Sequence, residues 1–360
     1  MIERLKSALG ALNGPNTYGN SRAFWVLFVV GVVGVFAYPM ATGSYRAGQA
    51  SLYLLYGFLA LSLCFIWGYC GVLSFGQVAF FGLAGYTFGV VTLNFGAGAT
   101  VPAALAGVVI ATVVAAVLGY FMFYGGIRDV YVAIVTLAFT LVLYTFMAQT
   151  AGSEWAIGDA RLGGFNGMPG IPNITVGGTA LSGETFYYLV AVLLLVTYLG
   201  MRVLVNSRYG RVMVAVREDE DRAEMLGYNT KFVKFAVFTF GGLLAGISGM
   251  LYASWGNFID PSVFALSFAA LPIVWVSIGG RESLIGAIGA TFFIERLSQE
   301  LAATGSEWAL VVIGALLLGV ILLMPKGFVP MIDSYAKVGL RWLKKKRGKS
   351  EKEVPAVDGD

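Results

Sequence analysis

The stretch GYCGVLSFGQVAFFGLAGYTFG, Gly68–Gly89, lies inside a long apolar region and carries no charge. Glycine recurs through it, and Ser74 and Gln77 stand where an uninterrupted membrane helix would place leucine. Non-helical backbone at membrane depth survives only where protein or a watery cavity satisfies its polar groups. Residues 71–77, GVLSFGQ, therefore read either as an inner-side turn between two spans or as a break in helix within the membrane. Ser74 and Gln77 can supply the hydrogen bonds, while Gly71 and Gly76 permit turns and close helix contact. Two uses stay open: the lining of a translocation path, or close packing of small residues.

The rest of the chain has the same character. Of its 360 residues 58% are hydrophobic and 12% charged, against roughly a quarter charged in soluble proteins. Apolar runs of about 18 residues or more recur from end to end, each long enough to cross ~30 Å of hydrocarbon as a helix. The short alternating segments of a spanning barrel are absent. The expected fold is an all-α polytopic membrane protein. There is no histidine, which removes the commonest general base and zinc ligand. No phosphate-binding G-x-x-x-x-G-K-[ST] loop occurs, so a nucleotide-driven step needs another polypeptide. Cys64 and Cys70 both belong to apolar sequence and read as packing residues.

Hydropathy places about ten spans, near 23–41, 51–70, 78–95, 101–124, 130–149, 185–203, 235–254, 265–279, 284–302 and 307–324. Lysine and arginine orient them. Residues 150–184 hold Glu154, Asp159 and Glu184 but a single cation, Arg161, and read as external. Residues 204–234 hold Arg208, Arg211, Arg217, Arg222, Lys231 and Lys234, and read as cytoplasmic. A short segment 1–22 precedes the membrane-spanning body, 23–325, and a basic tail, 326–360, follows it. Both ends then face the cytoplasm, and the tail, expected to be disordered, meets anionic lipid. With ten spans, two five-helix halves would be inverted, a frequent transporter plan. Each half has a glycine-rich span followed by an irregular one, the second running from Phe235 through GGLLAGISG to Pro272 and the break GGRES. Gly242-x-x-x-Gly246 and Ala245-x-x-x-Gly249 read as helix–helix contacts, and Pro272 as a kink.

The cytoplasmic loop carries the most information. Its middle reads as one short helix, Arg211–Leu226, closed by Gly227. Val212, Ala215, Val216, Ala223 and Leu226 form an apolar stripe interrupted by Asp219, and the other side pairs Glu218 with Arg222 and Arg217 with Asp221. Lipid-binding helices favour a cationic polar face. This one is zwitterionic, which favours a protein partner.

The segment GRVMVAVREDEDRAEMLGYN (Gly210–Asn229) resembles the cytoplasmic signature of the permease subunits of ATP-binding-cassette importers for branched-chain amino acids, a family that includes urea and short-amide importers. GYCGVLSFGQVAFFGLAGY, YVAIVTLAF, GGFNGMPGIP and WVSIGGRESLIGAIGA extend the resemblance over about residues 50–330. It implies a translocation path built by two permease subunits (this chain with a paralogue or a copy of itself), two ATPase subunits inside and a solute-binding protein outside. ATP and magnesium would belong to the ATPases; this chain would hold no cofactor and no metal, bind no nucleic acid and be no enzyme. The membrane implied is the bacterial inner one. By the same resemblance Gly210, Arg211, Arg217, Glu218, Arg222 and Gly227 would belong to the helix that meets the ATPase, and Gly279, Gly280 and Arg281 match the family's Gly-Gly-Arg. Glu282 departs from the glycine frequent there.

Path candidates are Gly71, Ser74, Gly76, Gln77, Thr136, Thr140 and Pro272, and the few polar groups of these spans (Ser74, Gln77, Thr136, Thr140, Gln149) are consistent with a neutral or zwitterionic solute. Branched-chain amino acids lead; urea or a short amide comes second. In the external loop, Asn166-Gly167 is a turn and a candidate contact for the binding protein. Glu295 and Arg296 fall toward the outer end of the ninth span, where snorkelling is cheap, and read as structural. The rival class, an ion-driven secondary transporter, would need an acid near the bilayer midplane; none is read there.

Overall fold

Backbone groups in hydrocarbon must bond within their own segment, so long apolar runs become helices. The computed structural model describes residues 12–128 and 130–303, with Gly314, Gly319, Gly327, Phe328, Pro330 and Met331. Its helices are α1 (Arg22–Thr42), α2 (Ser44–Leu63, prolonged by a π-helical turn Cys64–Tyr69), α3 (Gln77–Phe95), α4 (Thr100–Tyr124) and α5 (Val130–Ala148). After the hairpin-bearing segment 149–182 come α6 (Gly183–Asn206), α7 (Arg208–Glu218), α8 (Glu220–Met225), α9 (Thr230–Gly256), α10 (Leu266–Gly279) and α11 (Leu284–Ala303). Three two-stranded ladders of two residues per strand are the only sheet among the described residues.

The chain is a multi-pass α-helical membrane protein, but the count of ten spans is not reproduced. Among the described residues, seven helices are long and apolar enough to cross a membrane, and an eighth only if α10 and α11, bent by 119° at their junction, count as one. The fourteen residues of α10 extend about 21 Å, short of ~30 Å of hydrocarbon. Segments 265–279 and 284–302 are therefore a bent pair, not two full crossings; 307–324 lies outside the described residues apart from Gly314 and Gly319.

The centre is α2, buried along almost its whole length and packed on α6, α9 and α11; α9 in turn packs on α3 and α4. The α9 glycines do what small-x-x-x-small spacing suggests. Gly242 and Gly246 face Ala115 and Ala111 of α4, and Gly249 lies against the Phe81 carbonyl of α3. At about 36 Å, the 24 residues of α6 separate two faces. One carries α7 and α8 (the loop face); the other carries the hairpins Ala156–Arg161 and Thr175–Ala180 (the hairpin face).

Two irregular segments enter from opposite faces. Residues 71–76 leave the end of α2 at the loop face, and Phe75 reaches Thr136 and Thr140 of α5. Those threonines lie six and ten residues into α5, about 9 and 15 Å along its axis. Residues 257–265 leave α9 at the hairpin face; Ile259 packs on Gly85 and Phe264 on Gly82, both well inside α3. Each half thus joins a long helix, an irregular segment and a helix that begins in the interior.

Candidate functional site

The quoted stretch is a break within the body, braced by side chains. Ser62, Ser74, Gln77, Thr136 and Thr140 are all fully buried. The Ser62 hydroxyl lies between two acceptors, Gln77 Oε1 and the Gly241 carbonyl, the latter at 2.9 Å. Gln77 Nε2 and the Gly76 N–H both donate to Ser74 Oγ, at 3.3 and 3.1 Å. The Phe75 N–H donates to Thr136 Oγ1 at 3.1 Å, and the Thr140 hydroxyl reaches the Phe75 carbonyl at 3.4 Å. This seam joins α2, α3, α5 and α9. In this conformation its polar groups face one another, and Ser74 and Gln77 brace the break. Gln77→Leu would remove the amide that bridges Ser62 and Ser74, at about 0.5–1.5 kcal/mol per lost hydrogen bond, while Ser62 keeps the Gly241 carbonyl and Ser74 the Gly76 N–H. The expected result is a clear drop in melting temperature in detergent; an unchanged one would refute the bracing role.

Gly71 has φ +78° and abuts Arg217, which brings the break to the loop helices. The expected single helix is two. It breaks at Asp219, whose extended backbone (φ −161°) ends α7 and whose Oδ1 accepts the Arg222 N–H at 2.9 Å, capping α8. Glu220 and Asp221 then occupy the first turn of α8, where acids suit the helix dipole. The i,i+4 pairs Glu218–Arg222 and Arg217–Asp221 would span this break and do not form. Arg222 instead pairs with Asp219 (3.3 Å) and Asp221 with Arg128 (3.2 Å). Gly227, at φ +88°, ends α8 as expected: its N–H donates to the Glu224 carbonyl and that of Tyr228 to Ala223, the Schellman pattern. In the apolar stripe Val216 and Ala223 are buried, whereas Leu226 is 71% exposed beside Met225 at 86%. The Lys234–Glu220 ion pair ties α8 to α9.

Arg217 is the hub, its side chain only 18% exposed. It donates to the Gly68 carbonyl at the end of α2 (2.5 Å) and pairs with Glu218 (2.5 Å) and Glu282 (3.1 Å). The loop Gly280–Ser283 lies against the same π turn: Tyr69 Oη donates to the Glu282 carbonyl (3.0 Å), and Cys64 Sγ sits 3.2 Å from that of Arg281. A side chain at Gly68 would overlap the Arg281 carbonyl. Arg217 therefore joins α7, the end of α2 and the α10–α11 bend. Glu282, the departure from the family pattern, is the acid that completes the joint. Gly210 is buried against Val205; Arg211, Glu218, Arg222 and Gly227 are exposed, and the Arg281 side chain is 59% exposed.

Pro272 is buried in α10. Asn166 is exposed, while Gly167 is buried against Ile259 and Asp260, so of the two only Asn166 offers a surface to a partner. Glu295 is not near the outer end of its helix: it lies eleven residues into the twenty of α11, halfway along, and half-buried. Arg296 beside it is exposed and pairs with Glu300 at 2.6 Å.

Sequence reasoning gave no role to Ser62, Gly68 and Arg202, and used Lys234 only to orient the loop. Arg202 is 1% exposed and donates to the carbonyls of Leu12, Tyr18 and Gly19 and to Asn20 Oδ1, clamping that segment beneath α6. A charge in the run LGMRVLVN was its available signal. Among the described residues no cluster of three or more His, Cys, Asp or Glu could hold a metal.

The profile of the family described as branched-chain amino acid transport system / permease component matches residues 46–321. The high-affinity branched-chain amino acid transport permease LivM of Salmonella typhimurium is 28% identical, over 92% of this chain and 80% of its own. LivM of Escherichia coli K12 shows the same identity and coverage. The probable branched-chain amino acid transport permease LivM of Methanocaldococcus jannaschii is 23% identical over 77% of this chain and 90% of its own. No solved structure matches.

Proposed function

Because this chain belongs to the branched-chain amino acid transport permease family, we propose that it is the membrane subunit of an ATP-driven importer of branched-chain amino acids. It sits in the bacterial inner membrane with the loop face and both termini in the cytoplasm. Its path is completed by a second permease subunit, its motor is a pair of ATPase subunits, and its solute arrives from an external binding protein. The ATPases hold ATP and magnesium; this chain transmits their motion and catalyses nothing.

The observation that carries this reading is the Arg217 joint. A motor docking on the exposed apolar groups of the loop face, among them Met225 and Leu226, would move α7. Arg217 connects α7 to both irregular halves of the body. Coupling needs an element whose two arrangements the motor binds differently, and a short helix held by one hub can serve as that element. The scarcity of buried charge in the spans supports a neutral or zwitterionic solute.

The test is uptake of leucine by proteoliposomes holding the complex purified through this chain. ATP-dependent uptake that also needs the binding protein is the expected result. Glu295 places an acid where an ion-driven carrier would need one, so the same vesicles are assayed with an ion gradient and no ATP. Uptake under that gradient without ATP would replace the importer reading with the rival one, and uptake of urea instead of leucine would move the solute class.

A further inference from the structure

Between α1 and α11, over α2, the surface holds two hollows of opposite character. Toward the loop face lies an apolar trough of about 350 Å³, with Leu27, Gly31 and Val35 of α1, Leu54 of α2, Leu194 of α6 and Ile288 of α11 among its walls. At the hairpin face lies a polar cleft of about 470 Å³, lined by Tyr38, Arg46, Gln49, Tyr53, Arg296 and Gln299, among others. The two adjoin: Phe36 lines the trough and Tyr38 the cleft on α1, and the consecutive Leu54 and Tyr53 do the same on α2.

The cleft suits an anion. Among its described lining residues Arg46 and Arg296 face a single carboxylate, Glu300. Glu300 pairs with Arg296 at 2.6 Å, which leaves one positive charge uncompensated. Hydroxyl and amide groups surround it. Tyr38 Oη lies 3.5 Å from Arg296 Nη1, and Tyr53 donates to Gln299 Oε1 at 2.6 Å. Tyrosines and cations collect at headgroup level in membrane helices, and here they ring a hollow. The trough suits an acyl chain. It follows α1 from Phe36 to Phe24, about 18 Å along the axis, and half of a ~30 Å hydrocarbon core is about 15 Å. At Gly31 it is open, since a side chain there would meet nothing within 4 Å.

We propose that this groove is a binding site for one anionic phospholipid of the hairpin-face leaflet, with its phosphate on Arg46 and Arg296 and one acyl chain in the trough along Gly31. Charge selects this occupant. A protein helix seated in the trough would need no cation at its mouth, whereas a phosphodiester carries the single negative charge that the cleft lacks. The site depends on neither the solute nor the motor of the importer.

The test uses the full chain, stripped of lipid in an uncharged detergent, with its melting temperature followed as ligand is added. Saturating dioleoyl phosphatidylglycerol is expected to raise it by about 5 °C or more, dioleoyl phosphatidylcholine by less than half as much, and glycerol phosphate not at all. Arg46→Gln combined with Arg296→Gln is expected to lose the preference for phosphatidylglycerol. Gly31→Phe, which fills the trough and keeps both cations, is expected to lose the shift itself, and it tests the site even if the arginine variant does not fold. Equal shifts with the two lipids, or a preference that survives the loss of both arginines, would overturn the headgroup site. A full shift with glycerol phosphate would make it a site for a free anion and overturn the lipid. An undiminished shift in Gly31→Phe would remove the acyl chain from the trough. A Gly31→Phe chain that melts well below wild type before any lipid is added would mean that the trough holds protein, either segment 304–326 or a second copy, and would also overturn the proposal.

Discussion

Arg217→Glu is expected to abolish the stimulation of ATP hydrolysis by loaded binding protein in the reconstituted complex, while the chain still inserts and assembles. The substitution sets a carboxylate against Glu282, Glu218 and the Gly68 carbonyl, so attraction becomes repulsion at each arm of the joint. Surface pairs contribute about 0.2–1 kcal/mol and breaking buried ones costs about 3–5 kcal/mol. With side chains 18% and 34% exposed, Arg217–Glu282 falls between these. Loss of about 1.4 kcal/mol of coupling is already tenfold. The diagnostic partner is Arg217→Glu combined with Glu282→Arg, which restores opposite charges across the gap and is expected to recover part of the stimulation. Unchanged stimulation in the single variant would remove Arg217 from the coupling path.

The second large effect concerns the helix crossing at the centre. Gly249 of α9 rests on the Phe81 backbone of α3, and a side chain on Gly85 would stand 3.0 Å from the Gly249 carbonyl. The two helices meet glycine to backbone, with no flexible side chain to give way. Overpacking a core costs about 1–3 kcal/mol even where side chains can shift, so Gly249→Leu must part the helices. A fall of about 5 °C or more in melting temperature in detergent is expected, with a smaller yield from the membrane. Gly200→Leu, on a face of α6 with nothing within 4 Å, is the matched control. Equal melting of the two variants would contradict the crossing.

Hydropathy was enough for the membrane class and for the long helices, because burying apolar length is what those residues do. It also marked 71–77 as an interruption through Ser74 and Gln77, but left open whether it was a turn between spans or a break within the body. It failed where length and orientation matter. The run 265–279 is apolar but short; GGRES marks a break there, yet nothing in composition says that the chain bends by 119° at it. At Asp219 the signal was present but read the wrong way. An aspartate followed by two acids is a helix start, and treating it as a flaw in a stripe produced ion pairs that cannot form across the break. The site partners were illegible for another reason: Arg217 meets Gly68 149 residues away in the chain, and no periodicity encodes that distance. Glu295 is visible as an acid, and hydropathy gives its span, 284–302, almost the bounds of α11; the error lies in the residue's position along that span, halfway and not toward its end.

The two arms of the Arg217 joint differ in kind. Toward α2 the partner is a main-chain oxygen at the negative end of a long helix, which no substitution removes. Toward the bend it is a carboxylate, 34% exposed, which solvent ions can screen. If α7 is the lever of the proposed importer, it has a permanent fulcrum and a releasable pawl: raising ionic strength would free the bend from α7 while leaving α7 hinged to α2, and the second half would slip out of gear before the first.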